Sequence, residues 1–302
     1  MPHLWRDPVD HLLALDPGAR GIDGFFQPGA AARAAHALQR AERVVITTGF
    51  VVDSGTAETD GPPGAAVLGR ALRTLGAEVR YVVDEVTAPV LSAALDALGE
   101  PADVVRFPSS PDAAREVLAR ERPSHLVAIE RPGRARDGSY RNMRGVDVSE
   151  WNAPLDQLFI EAHKRSRGPR YNKSRFDRAQ RDVITIGVGD GGNEVGMGNV
   201  RARFARGNAL AASIGSVVRA DHLVVAGVSN WGAYGMVAHL ARLAGRPLLH
   251  APDDERRLVV ACVKAGACDG VTRRREATVD GLALDAHAAI VALLGVAAFA
   301  RA

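Results

Sequence analysis

Short runs of β-branched residues alternate along the chain with longer Ala- and Leu-rich stretches whose apolar positions recur at helical spacing. The runs 44–47, 79–83, 104–107, 125–129, 183–188 and 223–226 predict strands. They are apolar throughout rather than alternating, as strands buried on both faces of a parallel sheet are. Helices are predicted over 63–76, 88–98, 111–121, 153–166, 193–206 and 230–244, several of them closed by a glycine such as Gly76, Gly99 or Gly245. The alternation predicts an α/β fold, a doubly wound, mostly parallel sheet with helices on both faces in a Rossmann-like three-layer arrangement.

Some segments stand outside that alternation. Residues 1–40 read as a helical, partly irregular N-terminal appendage to a single α/β domain over 1–302, with Asp16-Pro17-Gly18 as a turn. Near the other end, Val279-Asp280-Gly281 precedes a closing helix over 284–299. Two irregular insertions, 131–152 and 166–181, are rich in Arg, Gly, Asn and Tyr and are expected near the site. Insertions of that length in a compact domain usually carry function.

Composition narrows the partners more than the fold. The chain has 302 residues, 47% hydrophobic and 24% charged, which is ordinary for a soluble globular protein. Its 38 Lys plus Arg against 35 Asp plus Glu leave a net charge of +3, and the basic residues are spread out, so nucleic-acid binding is not implied. Lys164, Lys173 and Lys264 are the lysines, which leaves few candidates for a catalytic amine. Cys262 and Cys268 fit neither a disulfide framework nor a zinc pattern and read as small buried residues in a reducing compartment. With no leader-like segment and no apolar run of membrane-spanning length, a cytoplasmic protein without a membrane partner is expected. A homo-oligomer stays open.

The chemistry gathers where the predicted strands end. Gly187-Val188-Gly189-Asp190-Gly191-Gly192-Asn193-Glu194-Val195-Gly196-Met197-Gly198-Asn199 sets two acids among glycines directly after an apolar run. Glycine serves where the backbone needs φ > 0 or where another group must come close, so this is a site rather than a linker. Ligands of open parallel sheets bind outside the carboxyl ends of the strands. At those ends the chain offers Thr47-Thr48-Gly49-Phe50 with Glu58-Thr59-Asp60-Gly61-Pro62-Pro63-Gly64, then Asp84-Glu85, Glu130-Arg131-Pro132-Gly133, the Asp190 and Glu194 block, and Ser229-Asn230-Trp231-Gly232. Simpler uses compete: Asp60, Asp84 and Glu85 also suit helix starts, and Glu130 suits a salt bridge to an arginine. Asp84 and Glu85 are left out of the site for that reason. Acids that do converge repel one another and need a cation, and an all-oxygen set selects Mg²⁺, Mn²⁺ or Ca²⁺ over zinc. No His or Cys pair has zinc spacing, and His125, His222 and His239 read as structural.

Two rival motifs fail on their own residues. Gly187, Gly189 and Gly192 match a dinucleotide-binding pattern, but Asp190 and Glu194 would face the pyrophosphate and no acid follows at ribose distance, so NAD is not expected. Gly227-Val228-Ser229-Asn230-Trp231 approaches a nucleophile elbow, yet Trp231 replaces the close-packed glycine and no histidine is placed as base. Ser229 and Asn230 read instead as the opening of a helix whose free N–H groups bind a substrate carboxylate.

Taken together, the Thr47–Phe50, Glu58–Gly64, Ile129–Gly133, Gly187–Asn199 and Val228–Tyr234 blocks, with Val279-Asp280-Gly281-Leu282, resemble the D-glutamate cyclase-like C-terminal domain family over roughly 40–290. The resemblance implies a lyase interconverting D-glutamate and 5-oxo-D-proline with loss or gain of water. It implies a small-molecule substrate, an amino acid or its lactam, and a divalent cation, Mg²⁺ or Mn²⁺, with no NAD, haem or zinc. Asp190, Glu194, Glu130 and Asp60 are then the expected catalytic residues, and Asp190, Glu194, Glu58 and Asp60 the expected metal ligands. Thr48, Gly49, Arg131, Arg144, Asn193, Ser229 and Asn230 are expected to bind substrate, Arg131 and Arg144 as forks on the α-carboxylate. A metal-dependent, phosphatase-like hydrolase and a non-catalytic metabolite-binding domain remain as alternatives.

Overall fold

The computed structural model of the chain describes residues 7–52, 54–167 and 182–299. Strands β1 (Arg43–Thr48), β2 (Glu78–Val83), β3 (Val104–Arg106), β4 (His125–Ile129), β5 (Ile184–Gly189) and β6 (His222–Val225) form one parallel sheet in the order β3-β2-β1-β4-β5-β6. A short antiparallel hairpin, β7 (Thr278–Val279) and β8 (Leu282–Ala283), stands apart from it. The helices are α1 (Pro8–Leu13), α2 (Ala30–Leu38), α3 (Pro62–Thr74), α4 (Thr87–Ala97), α5 (Ala113–Glu121), α6 (Asp156–Arg167), α7 (Arg201–Phe204), α8 (Ala209–Ile214), α9 (Ser229–Ala244), α10 (Pro252–Lys264) and α11 (Leu284–Phe299). This is the doubly wound α/β architecture that the hydrophobic runs predict.

Alternate residues of each strand face opposite layers. Val44, Ile46, Tyr81, Val83, Val127, Ile129 and Val188 pack with α2, α3, α4, α9, α10 and α11, whereas Val45, Val82, Leu126 and Ala128 pack with α5 and α6. Burying one such side chain is worth about 1.5–3 kcal/mol, and a one-residue slip of register would exchange the two faces. The strand ends are thereby fixed in depth, and with them the loops that carry the site.

The N-terminal segment is tied to the same body. Val9 and Leu13 of α1 and Ala34, Ala35 and Leu38 of α2 lie in the larger core. The Gly227 N–H donates to the Leu13 carbonyl at 2.9 Å, and a side chain at Gly227 would run into the Leu15 carbonyl.

Two stretches differ from the sequence expectation. Of the helix predicted over 193–206 only α7 forms, because Gly192 and Gly196 take φ of 91° and 99° and the N–H groups of Val195 and Gly196 go to Arg131 O and Val218 O instead of back along a helix. The loop doubles back over β5, and a Cβ on Gly187 would stand 2.3 Å from the Val195 carbonyl. Conversely, α10 is a helix that the sequence expectation leaves out, although Pro252 with Asp253, Asp254 and Glu255 opens it, the apolar run 258–263 fills it and Lys264 closes it as the helix dipole favours. In the 131–152 insertion, Tyr140 packs with Phe50 and Val148 and donates its hydroxyl to Asp156 at 2.6 Å. Residues 168–181, most of the 166–181 insertion, lie outside the described residues. Among the described residues no helix is long and apolar enough to cross a membrane.

Candidate functional site

The strand order reverses direction between β1 and β4, the switch point outside whose carboxyl ends ligands of open parallel sheets bind. Asp60 comes from the loop after β1, Glu130 directly follows β4, and Asp190 directly follows β5. All three are buried, and one carboxylate oxygen from each falls within 4.8 Å of the others.

Each acid is held by its own local device. Asp60 accepts the backbone N–H groups of Ser229 at 2.9 Å and Asn230 at 2.8 Å, the first turn of α9. Glu130 has a left-handed backbone, φ 47°, and its carboxylate accepts the Ser229 hydroxyl at 2.5 Å. That conformation is uncommon for a residue with a side chain and costs on the order of 1–3 kcal/mol. Gly61, at φ 100°, leaves the room this needs, since a Cβ there would stand 2.6 Å from Thr48 Oγ1 and 3.0 Å from Glu130 Cβ. Asp190 Oδ2 is buried and has no hydrogen-bond partner among the described residues.

Two further acids flank the three. Glu194 folds back so that Oε1 accepts the N–H groups of Asp190 at 2.9 Å and Gly191 at 2.6 Å, which fixes the loop carrying Asp190. Its Oε2 is buried without a partner among the described residues. Glu58 is buried beside the loop between α10 and β7, where a Cβ on Gly270 would stand 2.0 Å from its Oε2. Both were expected as metal ligands; the tight three-oxygen set consists of Asp60, Glu130 and Asp190, with Glu130 in it and Glu58 and Glu194 beside it.

Crowding raises the cost of charge here. Burial, and then the neighbouring Asp280, pushes the Asp60 carboxyl up to about 8. Burial, with Glu194, Glu58 and Asp60 close by, holds Glu130 well above the usual carboxylate range. Glu58 is pushed up by burial, Asp280 and Asp60, and Asp190 by burial despite the opposing pull of Arg20. A divalent cation fits this donor set. It is all oxygen, compact, short of positive charge, and retains a buried, unpartnered oxygen on Asp190. Asp60, Glu130 and Asp190 are the residues that would hold it.

One cation already stands in the cluster, and it is a residue that the sequence reading did not single out. Arg20 pairs through Nη1 with Asp190 and through Nη2 with Asp280 at 2.8 Å. Asp190, Asp280, Glu130 and Asp60 together outweigh the effect of burial and hold its guanidinium well above its ordinary pKa. No local motif marks Arg20; the preceding Asp16-Pro17-Gly18 turn was the available signal. Asp280 sits with Gly281 in the two-residue turn between β7 and β8, both at positive φ, 54° and 76°, as an Asp-Gly hairpin turn requires.

The expected substrate-binding residues divide. Thr48 presents a buried hydroxyl with no partner among the described residues, next to Gly61. Ser229 and Asn230 reach the site, but their backbone N–H groups are taken by Asp60 rather than left for a ligand. Asn230 Oδ1 in turn accepts from Gly61 N at 2.9 Å and Gly64 N at 2.8 Å, which secures the start of α3. Arg131 is fully buried and bound to Asp84, to the Gly49 carbonyl at 3.2 Å and to the Ala153 carbonyl at 2.5 Å. Gly49 thus serves Arg131, and both belong to an internal strut. Asn193 is buried and donates to the Arg141 carbonyl at 2.7 Å. Arg144 is exposed and donates to the Val271 carbonyl at 3.1 Å.

Comparison with known proteins places the chain. A model of the family described as D-glutamate cyclase-like, C-terminal, matches residues 9–295. The chain is similar to the human protein D-glutamate cyclase, mitochondrial, at 35% identity over 248 residues, covering 77% of this chain and 38% of that protein. It therefore spans well under half the length of this relative. Among solved structures, exonuclease RecJ bound to manganese aligns with a TM-score of 0.37 and 13% identity over 83% of this chain and 44% of that one. An exopolyphosphatase-related protein from Bacteroides fragilis aligns with a TM-score of 0.38 and 8% identity over 91% and 58%. The family match runs from α1 into α11 and takes in Arg20, Asp60, Glu130, Asp190 and Asp280 alike, so the whole acid cluster lies within it: this chain belongs to the D-glutamate cyclase-like C-terminal family.

Proposed function

We propose that the chain is a lyase that interconverts D-glutamate and 5-oxo-D-proline, with loss or gain of water, at the Asp60–Glu130–Asp190 cluster with a divalent cation. The observation that carries this reading is the convergence of those carboxylates within 4.8 Å in a chain of this family. The 35% identity to human D-glutamate cyclase supports the choice of substrate.

Ring closure forms the bond between the α-nitrogen and the carbon of the γ-carboxyl and breaks one of that carboxyl's carbon–oxygen bonds. The protons that the nitrogen loses end on the departing oxygen, which leaves as water. When bound, the cation would supply Lewis-acid polarisation of the γ-carboxyl. The chain's own residues supply the rest. Ser229 orients Glu130 through its hydroxyl. Glu194 Oε2, a buried acceptor with no partner among the described residues, takes a proton from the nitrogen and returns it to the leaving oxygen. Thr48 Oγ1 offers a donor at the cluster's edge. A walled site that folds the flexible chain of glutamate brings amine and carboxyl together in advance, which is a large part of the barrier to cyclisation.

The test is direct. The protein is incubated separately with D-glutamate and with 5-oxo-D-proline, with Mn²⁺ or with chelator, and both compounds are followed by NMR. Interconversion that chelator stops and Mn²⁺ restores is expected. Absence of interconversion from either side with metal present would overturn the assignment.

A further inference from the structure

We propose that Arg20 is the carboxylate receptor of this site, the residue that holds the α-carboxylate common to D-glutamate and 5-oxo-D-proline, with Asp280 as its positioning residue. The inference rests on the proposed function for the identity of the substrate, but its carboxylate chemistry follows from the cluster itself. The cluster of buried acids Glu58, Asp60, Glu130, Asp190 and Glu194 repels an anionic ligand. A cation on the Asp60–Glu130–Asp190 oxygens can engage the γ-carboxyl that reacts, and the α-carboxylate then needs a positive partner of its own.

Among the described residues, Arg20 is the arginine that forms an ion pair with a member of the three-oxygen set. Arg273 lies close enough to Glu58 to favour its charge, and three other arginines near these strand ends are committed elsewhere. Arg131 is closed in by Asp84, Arg134 is bound to Asp156 at 2.7 Å, and Arg144 reaches the Val271 carbonyl from the surface. Arg20 keeps 15% of its side chain exposed. Its pairs with Asp190 and Asp280 use its terminal nitrogens, and each of these carries a second N–H that a planar carboxylate can share.

The guanidinium is also set in place before any ligand arrives. Asp16 accepts the backbone N–H groups of Arg20 at 2.9 Å and Gly21 at 2.7 Å, which closes the loop around Arg20. Asp280 grips the side chain from the turn of a hairpin that is itself anchored. The Thr278 carbonyl accepts the Thr59 hydroxyl at 2.8 Å, and the Gly281 N–H donates to Asp269 at 2.7 Å. A receptor held on both sides loses little freedom on binding.

The experiment uses the full chain and two probes, Mn²⁺ alone and glutarate, a dicarboxylate with the reach of glutamate but no amine to react. Binding of each is measured by calorimetry on the wild type, Arg20→Gln, Arg20→Lys and Asp280→Asn, with glutarate titrated in the presence of Mn²⁺. Loss of a charge-assisted pair predicts glutarate binding weaker on the order of 10- to 100-fold in Arg20→Gln, with a smaller loss in Arg20→Lys and Asp280→Asn. Mn²⁺ should bind Arg20→Gln as tightly as the wild type or more tightly, because a competing positive charge has gone. In turnover of D-glutamate, KM should rise by the same factor while kcat changes far less. Unchanged glutarate binding in Arg20→Gln, no glutarate binding by the wild type, or loss of Mn²⁺ binding together with glutarate overturns the proposal. If Arg20→Gln does not fold, Asp280→Asn decides, and glutarate affinity equal to wild type there overturns it. Arg20-dependent glutarate binding without any turnover of D-glutamate would instead reject the proposed reaction and leave the receptor standing.

Discussion

Asp60 caps the helix that Ser229 opens: its carboxylate, carried on the loop after β1, takes the N–H groups of Ser229 and Asn230 at 2.9 and 2.8 Å. The positive end of the α9 dipole is thereby turned onto an acid of the chain. The same carboxylate belongs to the three-oxygen set, so a cation and the helix terminus share one ligand.

Asp60→Asn separates those two duties. The amide oxygen can still accept one N–H, so the cap is weakened by about 1 kcal/mol, while the charge that burial and Asp280 already oppose can no longer form. The metal-free variant should melt close to the wild type near neutral pH. Its Mn²⁺-induced rise in Tm should vanish and its turnover fall by more than about 100-fold, roughly 3 kcal/mol of barrier. A variant that keeps the full Mn²⁺ shift removes Asp60 from the ligand set.

The pH dependence has a definite sign. A carboxyl at about 8 in the folded protein, against an ordinary value of 3.8, binds its proton more tightly folded than unfolded. Its contribution to stability is therefore present at low pH and is lost as pH rises from the ordinary value through about 8. Glu130, Glu58 and Asp190 shift in the same direction. Without metal, these groups lower Tm as pH rises from about 4 to about 8, the range set by the ordinary and folded values of Asp60. Added Mg²⁺ should stabilise more at the upper end of that range, because protons and cation compete for the same oxygens. Melting curves with and without Mg²⁺ across the range check this, and a Mg²⁺ shift independent of pH contradicts it.

Arg131 was expected at the substrate and instead joins the ends of β2 and β4 through Asp84. Breaking a buried pair by removing one partner leaves the other charge stranded, at about 3–5 kcal/mol. Asp84→Ala should therefore lower the denaturation midpoint strongly, and Arg131→Met likewise. Folded protein that remains should show a KM for D-glutamate near the wild-type value. A large rise in KM with an unchanged midpoint would return Arg131 to the substrate.

The sequence was most legible where one strand or one glycine block carried the information. The strands were visible because burial on both faces leaves unbroken apolar runs, and Asp190 was visible because acids set among glycines have few structural uses. What stayed hidden depends on pairs far apart in the chain. Arg20 and Asp190 meet only through tertiary packing, and neither the Asp16 loop nor the Asp-Gly hairpin of Asp280 predicts the other. Leaving Asp84 out as a helix-start acid missed its partner Arg131, since a carboxylate after a strand reads the same whether it meets a helix start or a buried arginine. The glycines of 187–198 were read as openness for a ligand; several serve close packing of the loop on β5 and on Glu194.

Glu130 and Glu194 give the sharpest division within the cluster. Glu130 contributes an oxygen to the compact set, whereas Glu194 spends Oε1 on the N–H groups of Asp190 and Gly191 and keeps Oε2 buried and unpartnered. A glutamine at either position keeps size and one carbonyl oxygen but loses the charge. Glu130→Gln should weaken Mn²⁺ binding by an order of magnitude or more, about 1.4 kcal/mol or above, with turnover falling alongside. Glu194→Gln should leave the loop in place, because its amide oxygen still accepts both N–H groups, and should bind Mn²⁺ within a few-fold of the wild type. Its turnover should nevertheless drop by roughly 100-fold or more, the usual cost of losing a proton-transferring group. Calorimetry with Mn²⁺ and a single-turnover assay on both variants separate the roles. If Glu194→Gln loses the metal while Glu130→Gln keeps it, Glu194 replaces Glu130 as the third ligand, and the proton must travel by another carboxyl, with Glu58 the nearest remaining acid of the cluster to test.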